Sequence, residues 1–93
     1  MVKSLDFIIW ADNRPQEKEK IKRALASEAE CEIVVDRHRV KFDPVSRMVL
    51  VDKASDDVPF AWKIAKCRMP YELLSRLVDG QRDDMEGFEY LND

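Results

Sequence analysis

The sequence predicts a small α+β domain, an antiparallel sheet with two helices packed on one face. Three observations carry this. A β-branched and aromatic run stands at residues 5–11. A long strand-like stretch, broken near Asp36 and again at Asp43-Pro44, follows from Cys31 to Lys53. Segments with helical spacing lie on either side of that stretch. At 93 residues the chain has room for one domain, and at 45% hydrophobic residues it can fill a core.

Leu5 to Ala11 is apolar on both alternating sets of positions, the pattern of a central strand. Asp12-Asn13-Arg14 ends it. Asn13 is placed to cap a helix that begins with Pro15 in its first turn and Gln16 as the partner of a capping exchange. This helix runs to about Ala29 on a thin stripe of Ile21, Ala24, Leu25 and Ala29, so most of it faces water. Cys31 to Phe42 reads as strand throughout, yet twelve extended residues would span ~40 Å, against a domain diameter of about 30 Å. The strand must therefore bend or turn, and Asp36-Arg37-His38 is where the alternation lapses. Asp43-Pro44-Val45-Ser46 has the residue order of a type I turn, returning the chain as a strand over 47–53.

Residues 58–79 carry two patterns. Val58, Phe60, Trp62 and Ile64 alternate, while Phe60, Ile64, Cys67, Tyr71, Leu74 and Val78 follow a helical stripe. The longer stripe favours a helix, capped by Asp56-Asp57, stopped at Gly80, and broken or kinked by Pro70 near Arg68-Met69. Gly87 to Leu91 is open to a short last strand or a disordered tip. The order is then β-α-β-β-α-(β), which with the last strand formed is that of a ferredoxin-like sandwich. The expected organisation is a domain over 1–80 and an acidic tail over 81–93. Phe7, Ile9, Ile33, Val35, Leu50, Ile64, Leu74 and Leu77 are the expected core.

Charge is dense and uneven. Charged residues make up 38% of the chain. From residue 79 onward six acids stand against Arg82 alone, while the other 78 residues hold 15 basic and 13 acidic groups. No apolar run reaches the ~20 residues of a membrane span, and Asp6 interrupts the apolar run that a secretion signal would need. A cytoplasmic protein with no membrane attachment, whose Cys31 and Cys67 stay reduced, is the expectation.

Motifs for chemistry are sparse. His38, the one histidine, stands between Arg37 and Arg39, whose field lowers an imidazole pKa and repels metal ions, so it reads as a solvated turn or edge residue. Cys31 and Cys67 lack metal-ligand spacing. Gly80 and Gly87, the two glycines, are too far apart to cradle a phosphate. Asp56-Asp57 and Asp83-Asp84 lack the spaced ligands and turn glycine of a calcium loop. The expectation is no catalysis, no metal and no cofactor.

Binding is the remaining class. Arg37, Arg39, Lys41 and Arg47 lie on or beside the central hairpin. Trp62, with Lys63 and Lys66, suits an interface anchor. Phe88 and Tyr90 among acids suit a docking segment or a last strand. The expected function is an inhibitor or adaptor that docks on a protein partner. The alternative is a small nucleic-acid-binding domain using the basic hairpin, although the chain is acidic, with a pI of about 5.2, and lacks aromatics interleaved with those cations.

Overall fold

The computed structural model describes residues 5–54 and 66–91. Five strands form one antiparallel sheet in sequential order: β1 (Cys31–Val35), β2 (His38–Asp43), β3 (Met48–Lys53), β4 (Cys67–Pro70) and β5 (Glu89–Tyr90). Helices α1 (Asp6–Ala11), α2 (Pro15–Ala26) and α3 (Tyr71–Val78) are the other described elements. The α+β class is as expected. The order is not: it runs α-α-β-β-β-β-α-β, and the sheet is a meander in which each strand pairs with its successors in sequence, without the crossovers of a ferredoxin-like sandwich.

The first expected strand is helix α1. Its apolar run buries Phe7, Ile8 and Ala11, an i, i+1, i+4 set that shares one helical face, and leaves Asp6 and Ile9 outside. A short apolar run has no unambiguous period, and tertiary packing decided between the two. α2 matches the expected helix, with Ile21 and Ala24 buried, but it ends at Ala26 and its N-cap is Arg14, with no side-chain cap bond from Asn13. Glu19 and Arg23 pair along it at 3.6 Å.

The expected bend in the long strand is a tight hairpin turn. Val35 pairs with His38, and both intervening residues are left-handed: Asp36 at φ 46° and Arg37 at φ 67°. This is the two-residue connection whose twist suits adjacent antiparallel strands, normally built with glycine. The β2–β3 hairpin closes through the Asp43 carboxylate, which accepts from Val45 N–H at 3.0 Å and from the Ser46 hydroxyl at 2.9 Å. At 31 Å, the molecule's longest extent has no room for a straight twelve-residue strand.

The Cys67–Pro70 segment, expected within the helical stripe, is β4; it alternates buried Cys67 and Met69 with outward Arg68. The helix begins only after Pro70, whose ring cannot sit inside it. Phe60, Trp62 and Ile64 lie outside the described residues. The stop at Gly80 is as expected: Gly80 takes φ 91°, its N–H donates to Leu77 O at 3.1 Å, and Gln81 N–H donates to Arg76 O at 2.8 Å. Those two bonds form a Schellman cap.

The three described helices cover one sheet face. There Val35, Val40, Phe42, Val49, Val51 and Met69 meet Phe7, Ile21, Leu74 and Leu77. Of the expected core, Phe7, Val35, Leu74 and Leu77 are buried and Ile33 packs against them; Ile9 is 37% exposed and Leu50 lies on the opposite sheet face.

Residues 81–91 return to the body. Arg82 donates through both terminal nitrogens to the Asp12 carboxylate, at 3.0 and 2.7 Å, and through Nε to Leu77 O at 3.2 Å. Its hydrogen bonds hold the Asp12 carboxyl below the usual carboxylate range. Met85 and Phe88 pack against the core. At Gly87, φ is 91° and an added Cβ would lie 2.7 Å from the Pro70 ring, so glycine is required where the chain crosses into β5. No helix among the described residues is long and apolar enough to cross a membrane.

Two stability measurements test this packing. Leu74→Ala is expected to cost ~2–5 kcal/mol in urea unfolding; a loss under about 0.5 kcal/mol, the surface range, would contradict its buried placement. Arg37→Gly is expected to gain about 0.5–1 kcal/mol, since relief of left-handed strain outweighs the added freedom of the unfolded chain. An unchanged or lowered midpoint would count against strain at that turn.

Candidate functional site

Among the described residues, no element covers the sheet face away from the helices. Antiparallel register sets its side chains in rows, and one row crosses all five strands: Glu32, Lys41, Leu50, Arg68 and Glu89. A second row runs from Val34 through Arg39 to Asp52. The face forms a shallow groove of about 820 Å³, with Met48 and Leu50 on its floor, Lys41, Lys66 and Arg68 beside them, and Glu30 and Glu32 at one margin.

Acids flank most of these cations. Arg39 Nε lies 3.2 Å from Glu32, Arg68 donates to Glu89 at 2.9 Å, and Lys66 stands 3.9 Å from Asp52. Arg39 also donates to Ala54 O at 2.7 Å, which fixes the chain leaving β3. Lys41 is exposed at the centre of the hairpin, opposite Leu50.

The expected cations do not form one patch. Arg37 sits in the β1–β2 turn, 3.6 Å from Asp36. Arg47 is at the other end of the hairpin, left-handed at φ 57° and turned toward α3. There Nε and Nη2 donate to Glu72 at 3.1 and 3.0 Å, and the guanidinium lies 5.1 Å from the Tyr71 ring centre. Glu72's own N–H, and then Arg47, hold its carboxyl below the usual range. Burial pushes the Tyr71 hydroxyl up; that hydroxyl has no hydrogen-bond partner. Of the nine expected binding residues, Arg39, Lys41 and Lys66 share the open face. Trp62 and Lys63 lie outside the described residues. Phe88 and Tyr90 pack edge to face, ring centres 4.9 Å apart, with Phe88 half-buried and Tyr90 48% exposed.

Residues absent from the expected set also belong to the face: Met48, Leu50, Asp52 and Arg68. The available signal was the alternation in Met48 to Lys53 and in Cys67-Arg68-Met69, which puts these four on one side once both segments are strands.

His38 is not a solvated turn residue. It is 2% exposed, on the covered side of β2, with its ring centre 5.2 Å from that of Phe7. Nδ1 lies 2.7 Å from Asp36 O. A carbonyl only accepts, so Nδ1 carries the proton and donates, leaving Nε2 as a buried lone pair with no partner. Burial holds this imidazole below its ordinary value of 6.5, against the opposing pull of the Asp36 carbonyl, Asp36 and Asp6. Among the described residues, no group of three or more His, Cys, Asp or Glu is placed to hold a metal ion. No protein-family model matches the chain, and no curated protein or solved structure matches it.

The buried imidazole sets a pH dependence. Its folded pKa is depressed, so the unfolded chain binds the proton more readily. Stability is full above about pH 6.5 and falls as the pH drops from there toward the folded value. Urea midpoints should decline between pH 7.5 and 5 in the wild type, and less in His38→Leu. An equal decline in both would remove His38 as the cause.

Proposed function

We propose that this protein is a small binding or regulatory protein of the inhibitor or adaptor type. It docks on a protein partner through the open face of its sheet and performs no catalysis. The observation that carries this reading is the charge balance of that face. Its cations stand beside acids on neighbouring strands, Arg39 with Glu32, Arg68 with Glu89 and Lys66 with Asp52, around a floor of Met48 and Leu50. Protein interfaces combine such apolar centres with polar rims.

A nucleic-acid surface has different needs. Phosphates call for cations free to replace counterions, and single strands call for aromatic platforms. Here Arg37 and Arg47 sit at opposite ends of the hairpin, Arg47 is committed to Glu72, and the outward rows hold no aromatic residue among the described residues. A cytoplasmic location belongs to the same reading and is consistent with Cys31 and Cys67 not being joined in a disulfide.

The test is affinity capture from native lysate with wild type and with the Leu50→Asp, Lys41→Glu double variant. The variant is expected to lose the partner while still melting cooperatively, its stability lowered by no more than the ~1–2 kcal/mol that like charges at facing strand positions cost. Nuclease treatment is expected to leave the wild-type complex intact. Equal capture by the variant would discard the face, and release by nuclease would replace this reading with the nucleic-acid one.

A further inference from the structure

Resting on the reading that this protein docks on a protein, we propose that the outer edge of β1, which no described strand pairs with, is a strand-addition site for an extended, basic segment of that partner. The two-residue turn decides which backbone groups face outward. Val35 and His38 flank it as a directly bonded pair, so bonded pairs alternate back along β1 from there. Ile33 then bonds inward to Val40, while Val34 and Glu32 turn their N–H and C=O away from β2. An independent contact agrees: Lys20 Nζ, arriving from α2, donates to Val34 O at 3.1 Å.

β1 is five residues long, pairs with β2 residue for residue without a bulge, and contains no proline. Val34 is 52% exposed beside the open edge. Natural sheets blunt such edges with bulges, prolines or charges. Among the described residues the guard is one lysine, held at 2.8 Å by Glu17.

Charge selects the occupant. Glu28 and Glu30 are exposed, and no cation pairs with either among the described residues; Glu32, which Arg39 already meets at 3.2 Å, follows on the outward side of β1. Two copies of β1 laid edge to edge would bring these acids together, which disfavours self-pairing. An incoming strand with Lys or Arg at alternate positions sets them all on the outward side, their charges over Glu30 and Glu32 and an aliphatic stem over Val34, while the apolar residues between them turn to the side of Ile33. Glu30 and Glu32 also form the margin of the open groove, so side chains on the outward side of the added strand continue onto the docking face. Strand addition of this kind takes affinity from main-chain bonds and specificity from alternate side chains.

The probe is an acetylated, amidated Lys-Val-Lys-Val-Lys peptide, titrated calorimetrically and by amide hydrogen exchange. Saturable binding is expected, with slowed exchange at the Glu32 and Val34 amides. Lys20→Ala, which frees the Val34 carbonyl, should tighten binding several-fold. Val34→Pro removes an N–H that no ladder bond uses and should weaken binding about tenfold or more. If that variant melts below wild type, the same peptide methylated on alternate backbone nitrogens replaces it, with the same loss expected. Equal binding by Lys-Pro-Lys-Pro-Lys, which carries the charge but cannot form the strand, would overturn the proposal, as would protection located elsewhere. Lysate capture separates this failure from that of the docking reading. If Val34→Pro keeps the partner while Leu50→Asp, Lys41→Glu loses it, the edge is wrong and the face stands. If all variants keep it, both fall.

Discussion

The pairing of Val35 with His38 across two left-handed residues is the constraint on which the sheet depends. Side chains alternate with period two, so a one-residue slip would send Val40 and Phe42 to water and carry Arg39 and Lys41 under the helices. Asp36 and Arg37 hold the register against that slip at the cost of backbone strain. Once β2 is set, β3 and β4 follow by adjacent pairing. One side of the sheet is then apolar along its length and must be covered by Phe7, Ile21 and the Leu74–Leu77 face of α3. His38 is buried for the same reason. It occupies an inward position, and the Asp36 carbonyl in the turn before it satisfies one nitrogen.

The same register composes the outward face. Lys41, Leu50 and Arg68 come from three strands and share a row because the strands are in step. The ion pairs between neighbouring strands neutralise this surface locally, in a chain whose formal net charge is −3. The resulting surface is patterned in sign, and a pattern of charge discriminates between partners more than it attracts them from a distance.

Much of this was legible in the sequence. The β2–β3 hairpin was, because Asp43-Pro44 carries a turn mechanism in its side chains. So were α2, from its stripe, and the end of α3, from Gly80. The break at Asp36-Arg37 was visible because a straight strand would not fit the domain. What misled was ambiguity of period. Leu5–Ala11 is apolar at nearly every position, so both periods fit it. Cys67 falls in step with Tyr71 and Leu74, so the helical stripe reached back across Pro70 into what is a strand. The site was legible only in part. Arg39 and Lys41 could be assigned a common face within one strand, but their neighbours Leu50 and Arg68 are supplied by long-range pairing. The burial of His38 and the capture of Arg47 by Glu72 likewise depend on contacts between distant segments.

The clasp of Arg82 on Asp12 joins residues 70 positions apart, whereas β1 through β3 are joined by short loops. Loop-closure entropy makes the near contacts cheap to nucleate and the distant one expensive. Closure entropy therefore favours the paired hairpins as early contacts and the pinning of the segment after α3 against the end of α1 as a late one. A contact made after the rate-limiting barrier leaves the folding rate nearly unchanged and acts on escape from the native state. The clasp works as a latch: it sets how long a folded molecule survives between openings more than how quickly it forms.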